Sequence, residues 1–145
     1  MTTSSEPVLE WLCLPGSAGS LASFRDFVLG RGRAVGLAEA VISKIDLVLE
    51  EVLVNVFHHA FEGQAAGAVE VGCGPAAEEG LFLVRVIDPG RPFNPLDQPP
   101  PDLDGDIADR PIGGLGILLA KEMSHRMHYQ RRDDCNVLDI YFSAA

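Results

Sequence analysis

Apolar and polar positions along this chain alternate in two rhythms, one of period two and one of helical spacing, and the switches between them mark the elements. Residues 7 to 14, PVLEWLCL, form a short apolar stretch closed by Pro15 and Gly16, which predicts a first strand whose partner the pattern leaves open. Ser17 and Ser20 then stand as candidate caps before Leu21, Phe24, Phe27 and Val28, which fall on one face of a helix that Gly30 is expected to end. From Leu37 to about His59 a strongly apolar pattern runs without proline or glycine, predicting a central helix that ends near Gly63. Residues 68 to 73, AVEVGC, and 81 to 87, LFLVRVI, read as strands of a hairpin, because Gly74, Pro75 and Gly80 lie between them.

Pro89 to Pro111 is crowded with prolines and aspartates and excludes both a helix and a central strand. So long an irregular stretch between two glycine motifs is expected to be a lid, about residues 89 to 112. Residues 115 to 125 resume helical spacing, and HYQRR and VLDIYF, joined through Asp133, Asp134, Cys135 and Asn136, predict a closing hairpin. The order fits an α+β fold: a two-layer α/β sandwich in which helices cover one face of a mixed sheet. A doubly wound parallel sheet suits it less well.

Length and composition narrow the setting. A chain of 145 residues suits one domain, residues 1 to 145. The formal charge of -10 repels phosphate backbones, and no basic stripe opposes it, which points away from direct nucleic-acid binding and towards a protein partner. Charged residues interrupt every apolar run, so no membrane span is expected, and the opening MTTSSEPVLE lacks the pattern of a secretory signal, which makes the cytoplasm the expected compartment. Cys13, Cys73 and Cys135 are far apart with no CxxC pair and read as reduced packing residues. Trp11 is expected in the core or at a dimer interface, and His125 and His128 near a helix end.

Three short elements carry candidate chemistry. On a helix, Glu51, Asn55 and His59 lie at i, i+4 and i+8 with His58 beside them, a polar stripe on an apolar rod. Such a carboxamide can offer its oxygen to Mg²⁺ while the carboxylate holds a water or hydroxyl, and the histidines can meet phosphate oxygens; the same stripe could equally be a solvated face. Asp88-Pro89-Gly90-Arg91-Pro92-Phe93 follows a strand, where a carboxylate can accept a hydrogen bond from an exocyclic amine such as that of adenine, and Gly90 admits a flat base closely. A plain turn is the other reading of Asp-Pro-Gly. Ile112-Gly113-Gly114-Leu115-Gly116-Ile117 puts glycines at a helix start, which favours phosphate, or lets a hinge or close packing form. There is no GxxxxGK[ST], and GGLG does not follow a strand, so Walker and Rossmann folds are disfavoured.

Together these residues resemble the GHKL superfamily of ATPases and kinases, most closely the small bacterial anti-sigma-factor serine/threonine kinases with a histidine-kinase-like ATPase fold. That family's Glu-x-x-x-Asn helix with a following His reads here Glu51-Val-Leu-Val-Asn55-Val-Phe-His58-His59, its Asp-x-Gly reads Asp88-Pro-Gly90, and its second glycine box reads Gly113-Gly114-Leu115-Gly116. The resemblance covers roughly residues 8 to 143 and implies ATP and Mg²⁺ as cofactors. It makes Glu51 the general base, Asn55 the Mg²⁺ ligand, His58 or His59 a phosphate-side contact, Asp88 with Gly90 and Phe93 the adenine loop, and Gly113 to Gly116 the phosphate cradle. Arg110 would reach the terminal phosphate from the lid. Pro92 stands where many relatives have glycine, and the last hairpin offers Asn136 without a Gly-Thr pair, so that end is expected to serve only the sheet.

The function so implied is an ATP-dependent serine/threonine-protein kinase and anti-sigma-type regulator in a partner-switching system. It would phosphorylate a small anti-sigma-factor antagonist of STAS type and hold a sigma factor or another regulator, with a homodimer as one allowed state. The alternative is a non-catalytic ATP-binding module that sequesters a protein partner. The catalytic domain of a histidine kinase fits less well, since no helix hairpin here carries a phospho-accepting histidine.

Overall fold

Val69, Val71 and Cys73 alternate with Ala68, Glu70 and Gly72, and this period of two turns one side of their strand into the core. The computed structural model describes residues 7–61, 67–97 and 114–144. In chain order the described elements are β1 (Glu10–Pro15), α1 (Leu21–Ala34), α2 (Glu39–His59), β2 (Ala68–Pro75), β3 (Leu81–Asp88), α3 (Gly114–Met123), β4 (Arg126–Arg132) and β5 (Cys135–Ser143). Short 3-10 turns at Ala18–Ser20 and Pro95–Asp97 join them.

The strands form one five-stranded sheet in the order β1-β2-β3-β5-β4. Every ladder among the described residues is antiparallel, where a mixed sheet was expected. Chain geometry gives the reason. Between β1 and β2 the chain passes through two helices, which return it to the end it left, so β2 runs back along β1. Strand β4 shares the direction of β3, since each runs antiparallel to β5, but β5 lies between them and no parallel ladder forms among the described residues.

The helices lie on one face of this sheet, as the sandwich reading requires. Helix α2 is the central rod: Ile45, Val48, Leu49, Val52 and Leu53 are 0–1% exposed and meet Val69, Val71, Val84 and Ile140 from the sheet in one core. Each such side chain is worth roughly 1.5–3 kcal/mol on burial, so this face outweighs any local propensity in holding α2 in place. Arg25 of α1 clasps Asp46 of α2 through two hydrogen bonds of 2.6 and 2.9 Å, fixing the rotation of one helix against the other.

Helix α1 does not stop at Gly30. That glycine is solvent-facing with open space around it, and the helix runs on to Ala34. It ends at Gly36, whose φ of 89° is left-handed: the Gly36 N–H donates to Arg33 O (3.0 Å) and the Leu37 N–H to Gly32 O (3.1 Å), a Schellman closure. Neither Ser17 nor Ser20 makes a side-chain capping hydrogen bond. The β4–β5 hairpin turns through Asp133 and Asp134 alone, with φ of 54° and 62°, as a two-residue turn between right-twisted strands demands. His128 lies on β4, not at a helix end. Trp11 is 45% exposed on the helix-free face, its ring lying against Gly72. No helix among the described residues is long and apolar enough to cross a membrane.

Candidate functional site

Three polar elements converge where the C-terminal half of α2, the segment after β3 and the first turn of α3 meet. Asn55 is only 4% exposed although amide side chains are costly to bury, and among the described residues its Nδ2 has no hydrogen-bond partner. Glu51, one turn earlier, is half-buried, as is His59 one turn later. The stripe is therefore not the solvated face of α2. His58 diverges from it: exposed, it lines a separate surface groove of about 390 Å³ with Ser17, Leu21, Val54 and Phe57. The two histidine rings meet edge to face at 5.0 Å, and His59 stacks on Phe93 with centroids 5.1 Å apart.

The glycine box reaches this stripe from the other side. Gly116, in the first turn of α3, lies so close to the Glu51 carboxylate that any Cβ there would collide with Oε2. Gly114 begins α3, while Gly113 and Arg110 lie outside the described residues, as does most of the expected lid. The part of that lid that is described, up to Asp97, is tied down: the Leu96 N–H donates to Asn94 Oδ1 (2.9 Å), and Lys121 Nζ of α3 donates to Leu96 O (3.1 Å).

Asp88 ends β3 on the core face, 3% exposed. Burial pushes its carboxyl above the ordinary aspartate range, while hydrogen bonds from Asn136 and the Gly90 N–H and the charge of Arg131 oppose that rise. Both donors bond the same oxygen, Oδ1, each at 2.9 Å. The turn after Asp88 is pressed onto the end of α2. Gly90 packs against the Ala60 carbonyl with no room for a Cβ, and the Arg91 N–H donates to that carbonyl (3.0 Å) and Arg91 Nε to His59 O (3.1 Å). Ala60 is nine residues beyond Glu51, roughly 13.5 Å along the helix axis, so the turn after Asp88 and the Glu51 carboxylate meet α2 at two well-separated levels.

Asn136, which the sequence pattern assigned to the sheet alone, is bonded to Asp88 and the turn beyond it. It pairs with Asp88 across the β3–β5 ladder and is 3% exposed. Its Nδ2 donates to Asp88 Oδ1 (2.9 Å) and Arg91 O (2.8 Å); its Oδ1 accepts from Tyr129 Oη (2.6 Å), the Phe93 N–H (3.1 Å) and Arg131 (3.3 Å). Arg131 also donates to Gly90 O at 2.7 Å. The available signal was a polar side chain at an inward position of an apolar strand, but it becomes meaningful only when the register puts residue 136 opposite residue 88.

A one-sided antiparallel sheet under three helices, with a buried strand-end carboxylate and a glycine-opened helix facing a Glu–Asn turn, defines a class: the ATPase domain of histidine-kinase type. The chain belongs to that family. The model of the Histidine kinase-like ATPase domain matches residues 14–142, and membership of an ATPase family implies binding of ATP. The chain is similar to the serine/threonine-protein kinase BtrW of Bordetella bronchiseptica, 28% identical over 96 residues that span 66% of each protein, just under two thirds. The fold is that of a solved structure of the RsbU and RsbW domains of Rv1364c from Mycobacterium tuberculosis, with a TM-score of 0.63, 12% identity and coverage of 92% of this chain and 32% of that one.

Oxygen ligands suit Mg²⁺, which keeps most of its water and takes few groups from protein. Of the buried Asn55 amide, the oxygen is the atom that would take such an ion, with a carboxylate one turn away; the atom left without a partner among the described residues is its nitrogen, a donor.

Proposed function

We propose that this chain is an ATP-dependent serine/threonine-protein kinase of a partner-switching system, acting on a small antagonist protein of STAS type and sequestering a sigma factor or another regulator when that antagonist is absent. One observation carries the proposal: Glu51 stands half-buried one turn from the buried, unsatisfied Asn55 and against the glycine-opened start of α3. A site that only retains a nucleotide needs no carboxylate there. The similarity to a protein named as a serine/threonine kinase supports the same reading.

In this reading Asp88 accepts a hydrogen bond from the exocyclic amine of adenine, with Gly90 letting the turn after Asp88 close onto Ala60 and Phe93 held on His59 at the edge of the ring. The backbone N–H groups of Gly113 to Gly116, at the positive end of α3, receive phosphate oxygens, and Arg110 and His58 or His59 add positive charge. Asn55 holds Mg²⁺, which when bound supplies charge neutralisation on the phosphates. Glu51 orients the substrate hydroxyl and accepts its proton as the γ-phosphoryl group passes to that oxygen and leaves ADP.

The test uses the purified protein, a cognate antagonist and Mg²⁺-ATP, with transfer followed by mass. Glu51→Ala is expected to lower transfer about 10²–10⁴-fold while changing nucleotide affinity less than threefold. Undiminished transfer by that variant removes Glu51 as the base. A wild-type complex that forms in ATP with no mass gained on the antagonist points instead to a non-catalytic module.

A further inference from the structure

Asn136 spends every hydrogen-bonding group it has. Its two N–H donors face two acceptors, the Asp88 carboxylate and the Arg91 carbonyl, and its oxygen faces three donors from Tyr129, Phe93 and Arg131. This pattern allows only one orientation of the amide, because a flip would set the amide nitrogen against three donors and the oxygen against two acceptors. The amide is thus a fixed bracket. It ties β5 to the end of β3, to the turn beyond it and, through Tyr129 and Arg131, to β4.

The bracket acts on one oxygen of Asp88. The Asn136 amide and the Gly90 N–H both bond Oδ1, and among the described residues Oδ2 accepts no hydrogen bond. Two donors on one oxygen fix the carboxylate plane, so the other oxygen keeps both its direction and its accepting capacity. A carboxylate free to rotate would share its lone pairs between these donors and any incoming group.

We infer that Asn136 is the positioning residue for base recognition: it holds Asp88 so that Oδ2 alone is presented to a purine amine, and so sets the preference for a 6-amino purine over one that lacks the amine. This rests on the reading of Asp88 as the acceptor for that amine. Asn136 touches no substrate in this account. Tyr129 and Arg131 contribute through it, by keeping the amide from turning.

Paired affinities of the full chain for ATP and for purine riboside triphosphate, which differs only in lacking the 6-amino group, test the inference. Wild type is expected to favour ATP by about tenfold or more, the worth of one hydrogen bond to a charged group. Asn136→Ala should bring that ratio close to one, chiefly through weaker ATP binding, with affinity for the amine-free analogue nearly unchanged. Tyr129→Phe, which deletes one donor to Asn136 and leaves the core shape intact, should reduce the ratio partway. If Asn136→Ala weakens both nucleotides equally, its role is structural and the inference fails. If that variant does not fold, Tyr129→Phe decides, and an unchanged ratio overturns the inference. A wild-type ratio near one strikes earlier, at Asp88 as the reader of the amine.

Discussion

Asp88 shows how a single residue can trade stability for recognition. Its carboxyl is buried and titrates above its ordinary value of 3.8, so the native state holds the proton more tightly than the unfolded chain does. The sign follows: Asp88 contributes most to stability below the ordinary aspartate value, and that contribution is lost as pH rises through the native value. Above that point the protein carries an ionised buried group at a constant cost. Asp88→Asn keeps the shape without the charge. Its melting temperature relative to wild type should therefore rise between the ordinary and native values and then level off, while ATP affinity falls at least about tenfold. Calorimetry across pH alongside nucleotide titration checks both, and a wild type that gains stability relative to the variant as pH rises reverses the sign. The same residue shows what was legible. Asp88, Gly90, Glu51 and Asn55 stand in short local motifs that the sequence displays directly. The partner of Asp88 is 48 residues away, and the local signal at Asn136, a polar residue at an inward strand position, does not say which residue it meets.

At the scale of elements, the central helix and the four strands from β2 onward follow the apolar period, because burial on one face is what that period encodes. The end of α1 did not follow. Gly30 carries a cost in a helix of about 1 kcal/mol, but packing of Phe24, Val28 and Leu29 against the core carries the helix past it. Gly36, needing a left-handed φ, is where the chain can close. Two substitutions separate these roles. Gly30→Ala should stabilise the protein by up to about 1 kcal/mol, and Gly36→Ala should destabilise it by about 1–2 kcal/mol, both read from urea midpoints at constant slope. Equal and opposite assignments, with Gly30→Ala destabilising, would place the true helix stop at residue 30 after all.

At the scale of the whole molecule, the candidate site draws on α2, the segment after β3 and α3, so a nucleotide that bridges them should bind the folded chain only. Mg²⁺-ATP at a hundred times its dissociation constant is then expected to add about 2.7 kcal/mol, raising the melting temperature by about 5–10 °C. Asn55→Ala should abolish the part of that shift that depends on Mg²⁺. No shift at millimolar Mg²⁺-ATP would remove these elements as a nucleotide site.

The sequence by itself determined the elements, the one-sided sandwich and the three motifs, because periodicity, glycine and proline act over a few residues. Tertiary structure alone decided that every ladder among the described residues is antiparallel, that Gly116 meets Glu51, and that Asn136 brackets Asp88. Those relations depend on which strands become neighbours and in which register, and both are settled by burial summed over the whole chain.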